Sequence, residues 1–294
     1  MPIVPLRFGL NVNRLHHATP DGALFSWLRA CTPAIRELGV ELHTVGRTFD
    51  AIVREGMLQG YPGLVRYPYG RDGGLMKVVA RVTPPREGQE SLDGAIYLID
   101  PVDPSSIFPE MLALKRQCIA HGLPFISTLA GAVEWMEIER VRAGLAPDPS
   151  ADYLFEFEEQ TLALISHDAL KPEMVAFADQ YFDLLSRFAQ RVATGTTGGL
   201  LNELAWSKGW PKDTPWVQRY LSGPLGGDAQ IAELVLERKC RRVIFFEDPH
   251  VARQHEADIQ LLERAVRVKT DYAMCATSPV VARRWADAAQ KRIG

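Results

Sequence analysis

Two short stretches of this chain combine glycines, hydroxyls and a carboxylate in a way that could hold a phosphate and act beside it. The first is Thr194-Gly195-Thr196-Thr197-Gly198-Gly199; the second, about one strand and one helix further on, is Ser222-Gly223-Pro224-Leu225-Gly226-Gly227-Asp228. At the carboxyl ends of neighbouring strands, such stretches turn backbone N–H groups and short side-chain donors towards one anion. Asp228 at the edge of that cradle places a proton acceptor beside the bound group, which suggests chemistry on a phosphorylated metabolite. His167-Asp168 and Lys171 precede the cradle, while Asp248-Pro249, His255 and Asp258 follow it.

Parallel strands would bring residues so far apart to one cleft beyond their carboxyl ends, and the chain carries the pattern for them twice. In the second half, Leu162 to Ser166 is predicted as a strand ending at His167-Asp168, and Met174, Phe177, Tyr181 and Leu184 mark a helix. Helices around Leu200 to Trp206 and over Ala229 to Glu237 follow, then a buried strand from Val243 to Phe246. A helix carrying Ile259, Leu262 and Val266 and a strand over Tyr272 to Ala276 complete this half. In the first half, Leu6 to Val12 is a strand ending at Asn13-Arg14, and Phe25 to Leu38 is an amphipathic helix. Val45-Gly46-Arg47-Thr48-Phe49 stands in place of the threonine stretch, and Pro68-Tyr69-Gly70-Arg71-Asp72 aligns with Pro224 to Asp228. Ile96 to Pro101 aligns with Ile244 to Pro249, and Glu110 with Asp258. Strands alternating with helices predict an α/β fold of two tandem doubly wound domains, residues 1–145 and 151–294. Each is expected to be a mainly parallel sheet of about five strands covered by helices on both faces. Ala143 to Ser150, with two prolines and no apolar periodicity, reads as a linker.

Composition narrows the functions. With 294 residues, 47% of them hydrophobic and 23% charged, the chain can bury a sizeable core. A net charge of −3 with scattered Lys and Arg gives no stripe to neutralise several nucleic-acid phosphates, so a nucleic-acid partner is not expected. Cys31, Cys118, Cys240 and Cys275 have no paired spacing, which argues against structural zinc and a disulfide framework and suits a reducing cytoplasm. No apolar run reaches about 18 residues, and neither a membrane span nor a signal peptide is expected.

The second half, roughly residues 155–285, resembles the methylglyoxal synthase family. His167-Asp168, Lys171, Thr194 to Gly198, Ser222 to Asp228, Phe245-Phe246-Glu247-Asp248-Pro249 and His255 with Asp258 fall in family order with family-like spacing. The resemblance implies tandem methylglyoxal-synthase-like domains, the second of them catalytic. It implies a lyase that eliminates phosphate from dihydroxyacetone phosphate through an enediolate, with no metal or organic cofactor. Asp228 is then expected as general base and His255 as donor to the carbonyl oxygen. Asp168, Asp248 and Asp258, with His167 beside them, would orient the imidazole, relay protons and fix the substrate hydroxyl. Lys171, Thr194, Gly195, Thr196, Thr197, Gly198, Ser222 and Gly223 would hold the phosphate. A small phosphorylated substrate and a homo-oligomer are implied, three tandem chains standing for six domains.

Taken singly, the same residues have plainer readings: Asp228 and Asp168 as helix caps, Asp248-Pro249 as a turn, His255 as solvated, Lys171 as a surface charge. The first half has Asn13-Arg14 for His167-Asp168, Phe49 for a glycine and Ile107 at the histidine position, and is expected to be a non-catalytic copy. Arg14, Arg47, Arg66 and Arg71 are its candidate anion ligands, and Tyr153 to Glu158 is a candidate added strand. The competing function is a regulatory domain binding a phosphorylated metabolite or nucleotide, which needs the cradle but not Asp228, His255 and Asp258 together.

Overall fold

Strands that are apolar along their whole length must be covered on both faces, and the intervening helices are the segments available to do it. The computed structural model describes residues 5–85, 87–106, 109–250 and 256–294, which divide between Asp148 and Pro149 into two compact units. In the first, β1 (Arg7–Val12), β2 (Glu41–Thr44), β3 (Leu64–Arg66), β4 (Gly94–Leu98) and β5 (Phe125–Ile126) pair in the order β3-β2-β1-β4-β5. In the second, β6 (Thr161–Ser166), β7 (Gln190–Ala193), β8 (Gln218–Arg219), β9 (Arg242–Phe246) and β10 (Met274–Ala276) pair in the order β8-β7-β6-β9-β10. Counted within each unit the order is the same, and every ladder is parallel. The switch point, where connections leave in opposite directions, falls between β1 and β4 and between β6 and β9.

Burial explains why the central strands hold. Leu162 to Ile165 and Val243 to Phe246 are at most 2% exposed, and each large side chain so buried contributes about 1.5–3 kcal/mol. Alternate residues face opposite layers. Phe245 joins a cluster with Ile231, Val235, Leu262 and Val266 from helices Gly227–Leu236 and Glu256–Val268. Phe246 turns the other way, onto Phe177 of helix Lys171–Gln180. In the first unit, Tyr97 packs with Val78 and Leu114 from helices Gly74–Val82 and Pro109–Ala120. Across that unit, Trp27 Nε1 donates to the Ala132 carbonyl and ties helix Ala23–Glu37 to helix Leu129–Arg142. Among the described residues no helix is long and apolar enough to cross a membrane.

The structure corrects the sequence reading at four places. The helix expected to run through Leu184 is two helices, Lys171–Gln180 and Phe182–Ser186, broken at Tyr181, whose hydroxyl donates to Asp287. The helix expected around Leu200 to Trp206 starts earlier, as helix Gly195–Ser207, which begins within the threonine stretch. Tyr153 to Glu158 is not a strand but belongs to the 3-10 turns Pro149–Leu154 and Phe157–Glu159, where Phe157 stacks on Phe188 at 4.6 Å. Finally, Asp72 is not the counterpart of Asp228. A Cβ on Gly74 would lie 2.0 Å from the Pro68 oxygen, and one on Gly227 would lie 1.9 Å from the Leu221 oxygen. Each of these glycines follows a left-handed one, Gly73 (φ 85°) and Gly226 (φ 97°). This shared turn aligns Tyr69 with Ser222, Gly70 with Gly223 and Leu75 with Asp228.

Gly227→Ala is therefore expected to destabilise the second unit by at least about 2 kcal/mol, because a backbone oxygen must move. Gly199→Ala, whose Cβ would meet nothing nearer than 3.6 Å, is expected to stay within about 1 kcal/mol of the unaltered chain. Urea unfolding followed by tryptophan fluorescence distinguishes the two.

Candidate functional site

Beyond the carboxyl ends of the second unit's strands lies a cavity of about 230 Å³. His167, Asp168 and Lys171 reach it from the segment after β6, and Thr194, Thr196 and Thr197 from the segment after β7. Ser222, Gly223, Pro224 and Asp228 come from the segment after β8, and Ile165 and Phe245 supply apolar lining.

The threonine side of the cavity is the open end of a helix. Gly195 N–H donates to the Leu221 oxygen at 2.9 Å and Gly198 N–H to the Thr194 oxygen at 2.8 Å. Between them, the amides of Thr196 and Thr197 stand in the first turn, where N–H groups lack intrahelical acceptors and the dipole favours an anion. Thr197 Oγ1 is buried with no hydrogen-bond partner among the described residues. An unmet buried hydroxyl costs about 1–3 kcal/mol, so its presence at a cavity wall marks a donor suited to a ligand. In the first unit Thr48 holds the corresponding position, and its Oγ1 accepts from Val12 N–H at 3.1 Å. Gly195 lets the two cradle segments meet, since a Cβ there would stand 3.0 Å from Ser222 N.

Asp228 is delivered by the glycine turn into the first turn of helix Gly227–Leu236 and is 3% exposed. Gly226 occupies the cap position, which removes the plain capping reading for Asp228. Its carboxylate lies over Gly223, where a Cβ would come within 2.9 Å of Oδ2. A hydrogen bond and a ring contact help to fix His167. Its Nδ1 accepts from Asp248 N–H at 2.9 Å, and its ring meets Phe245 edge-on at 4.9 Å. A neutral His167 ring therefore carries its proton on Nε2. Lys171 Nζ pairs with Asp168 Oδ1 at 2.6 Å; the Asp168 side chain is 90% exposed. A pair with one partner in water contributes about 1 kcal/mol or less, so an incoming anion can compete for the ammonium.

Other expected residues lie elsewhere. Asp248 Oδ1 accepts from His250 N–H at 2.9 Å, closing a turn as Asp100 Oδ1 does with Val102 N–H, also at 2.9 Å. Asp248, Gly195 and Gly198 are not among the residues lining the cavity: Gly195 adjoins Ser222, and Gly198 lies under the Arg219 side chain. Asp258 falls on helix Glu256–Val268, while His255 and Ile107 lie outside the described residues. Sequence reasoning read Ile165 and Phe245 as strand residues and gave neither a place in the site, although Phe245 opens the stretch Phe245 to Pro249 on which the resemblance rests. It passed over Arg219, whose signal is the adjacent pair Gly198-Gly199 inside a helix. No group of three or more His, Cys, Asp or Glu arranged to hold a metal occurs among the described residues.

The corresponding place in the first unit is tied up internally. Asn13 Nδ2 donates to Ser106 Oγ at 2.6 Å and Asp103 Oδ2 at 3.2 Å, and Arg14 Nε pairs with the same Oδ2 at 2.9 Å. Arg66 pairs with Asp50 at 2.7 Å and Arg71 approaches Asp72 at 3.7 Å. Three of the four arginines proposed from sequence as anion ligands thus already face carboxylates. The Arg14 guanidinium, helped by Ser105 N–H, holds the Asp103 carboxyl well below the usual carboxylate range. A depressed carboxyl stabilises the fold fully above its unfolded value, near 3.9, and that stability is lost as pH falls through the folded value. The stability difference between the unaltered chain and Asp103→Asn is accordingly expected to be constant above about pH 5 and to shrink below about pH 4, read by urea unfolding across pH.

The fold and the cavity define an α/β protein with a donor-rich site beyond the carboxyl ends of a parallel sheet. Comparison with known proteins supplies the family. A curated methylglyoxal synthase from Thermus thermophilus is 46% identical over 109 residues, covering 37% of this chain and 79% of that protein. The Clostridium beijerinckii methylglyoxal synthase is 41% identical over 107 residues, 36% of this chain and 82% of that one. That of Pseudoalteromonas atlantica is 42% identical over 120 residues, 41% and 82% respectively. This chain belongs to the methylglyoxal synthase family. A crystal structure of methylglyoxal synthase from Elizabethkingia anophelis NUHP1 matches at 33% identity and a TM-score of 0.35, covering 43% of this chain and 76% of that one. No family model matches the chain.

Proposed function

We propose that the second unit is a methylglyoxal synthase acting on dihydroxyacetone phosphate, with Asp228 as general base, and that the first unit is a non-catalytic partner. The observation that carries this reading is the buried Asp228 carboxylate in the same cavity as Lys171, Thr196, Thr197 and Ser222. A purely regulatory anion site gains nothing from a buried carboxylate among its donors, since like charge weakens anion binding. Proton abstraction next to a bound phosphate requires one.

The reaction then runs as follows. Lys171 and the donors after β7 and β8 hold the phosphate, leaving the hydroxymethyl carbon next to Asp228. The carboxylate takes a proton from that carbon, the C–H electron pair forms the C=C bond, and the carbonyl oxygen becomes an enediolate oxygen. His255, assigned by family resemblance, donates to that oxygen. The hydroxyl on the deprotonated carbon then gives up its proton as its C–O bond becomes C=O, the C=C bond shifts to the other terminal carbon, and phosphate leaves with the C–O electron pair and takes up the proton; the resulting enol is protonated on its CH2 carbon as it ketonises to methylglyoxal. The C–O bond to phosphate must lie out of the enediolate plane for its loss, so the cradle has to fix torsion as well as position. In the first unit Leu75, Val45 and Asn13 stand where Asp228, Thr194 and His167 stand in the second, which removes the base and the threonine hydroxyl and puts an amide in place of the imidazole.

Purified protein given dihydroxyacetone phosphate is expected to release phosphate and methylglyoxal in equal amounts. Asp228→Asn is expected to lower kcat by at least about 100-fold, the usual scale for losing a general base, while Asp72→Asn leaves it unchanged. Gly223→Ala should cost at least about tenfold in kcat by pushing the carboxylate aside. Phosphate binding without turnover would favour the regulatory reading; full activity in Asp228→Asn would dismiss the assigned base.

A further inference from the structure

Strand register places one arginine at the same point of both units: Arg219 pairs with Ala193 across β8 and β7, and Arg66 with Thr44 across β3 and β2. Each side chain lies across the first turn of the helix that follows the neighbouring strand, Gly195–Ser207 or Gly46–Arg54. Their surroundings differ in charge.

Arg66, although exposed, is paired with a carboxylate and flanked by two aromatic rings. Its Nη1 pairs with Asp50 Oδ1 at 2.7 Å, and its guanidinium lies over Phe49 at 5.2 Å and Tyr69 at 5.1 Å. Tyr69 OH donates to Asp50 Oδ2 at 2.6 Å. In the second unit these three partners become Gly199, Gly198 and Ser222. Arg219 rests on bare backbone instead: a Cβ on Gly198 would stand 2.8 Å from its Cγ, and one on Gly199 3.6 Å from its Cζ. Its Nε donates to the Gly195 oxygen at 3.0 Å, and no carboxylate pairs with it among the described residues.

A guanidinium beside a helix N-terminus is unfavourable by itself, because that end already carries about half a positive charge. Asp50 cancels the conflict in the first unit. In the second, a bound anion at the helix end would cancel it. We propose that Arg219 is a positioning residue of the phosphate cradle, holding the Gly195 carbonyl and adding its charge to the field of the Thr196 and Thr197 amides without touching substrate. One helical turn rises about 5.4 Å, inside the Debye length of about 8 Å at physiological salt, so the charge is felt at the cradle although the side chain is exposed. The paired glycines of the threonine stretch are thereby explained as the bed for this side chain. This inference rests on the phosphate site proposed above.

The test is titration calorimetry with inorganic phosphate, together with steady-state kinetics on dihydroxyacetone phosphate, for the full chain and its Arg219→Gln and Arg219→Lys forms. Arg219→Gln is expected to weaken phosphate binding and raise KM by about fivefold, with kcat within about twofold and the urea midpoint unchanged. Arg219→Lys, which keeps the charge, is expected to recover to within about twofold, and the difference between the forms should fade at about 1 M salt. Phosphate affinity and KM unaltered in Arg219→Gln would overturn the proposal, as would Arg219→Lys failing as badly as Arg219→Gln at every salt concentration. An unaltered chain that neither binds phosphate nor turns over the substrate would overturn the underlying site, and this proposal with it.

Discussion

The distance at which backbone meets backbone governs this molecule's chemistry. Beyond the strand ends, three segments must crowd close enough for main-chain N–H groups and a carboxylate to face one small volume. Glycine sets that closeness at Gly195 against Ser222, at Gly227 against Leu221, and at Gly223 beneath Asp228. The sheet gives the segments their starting points, and the missing side chains let them converge. A methyl group at any of these positions acts on the cavity as directly as a change to a donor would.

The two units show how little of a scaffold determines its chemistry. They share strand order, ladder direction, the left-handed glycine turn and the Asx turn at Asp100 or Asp248. The differences that bear on the site lie at the segment ends, where one unit gathers donors around an aspartate and the other ties its polar groups to each other. Asn13, Arg14, Asp103 and Ser106 form a satisfied network, whereas Thr197 at a cavity wall has its hydroxyl unmet among the described residues. Polar groups satisfied within a protein contribute to stability; those left unsatisfied beside a cavity contribute to binding.

The sequence was most legible where burial is complete. Leu162 to Ile165 and Val243 to Phe246 read as strands because two-sided burial demands unbroken apolar runs, and the alternation of such strands with helices pointed to parallel sheets. Gln218–Arg219 escaped notice because a two-residue exposed edge strand carries no such run. The start of helix Gly195–Ser207 was hidden for a related reason: glycine and threonine are poor helix formers, and tertiary contacts override that preference. Asp72 misled because letters were matched across Pro68 to Asp72, whereas the turn is fixed by which glycines touch Pro68 and Leu221. Arg219 left no motif, since what it requires of its neighbours is that they lack side chains.

The quartet of Arg66, Asp50, Tyr69 and Phe49 bears on reversibility. Each member depends on another: Asp50 accepts from both Arg66 and Tyr69, and Arg66 lies over both rings. Replacing Asp50 by glycine alone would strand a guanidinium and take away the acceptor of the Tyr69 hydroxyl, while replacing Tyr69 by serine alone would uncover Phe49. Converting this arrangement into the open cradle of the other unit therefore takes several substitutions at residues in mutual contact, so the effect of each depends on which of the others has already been made.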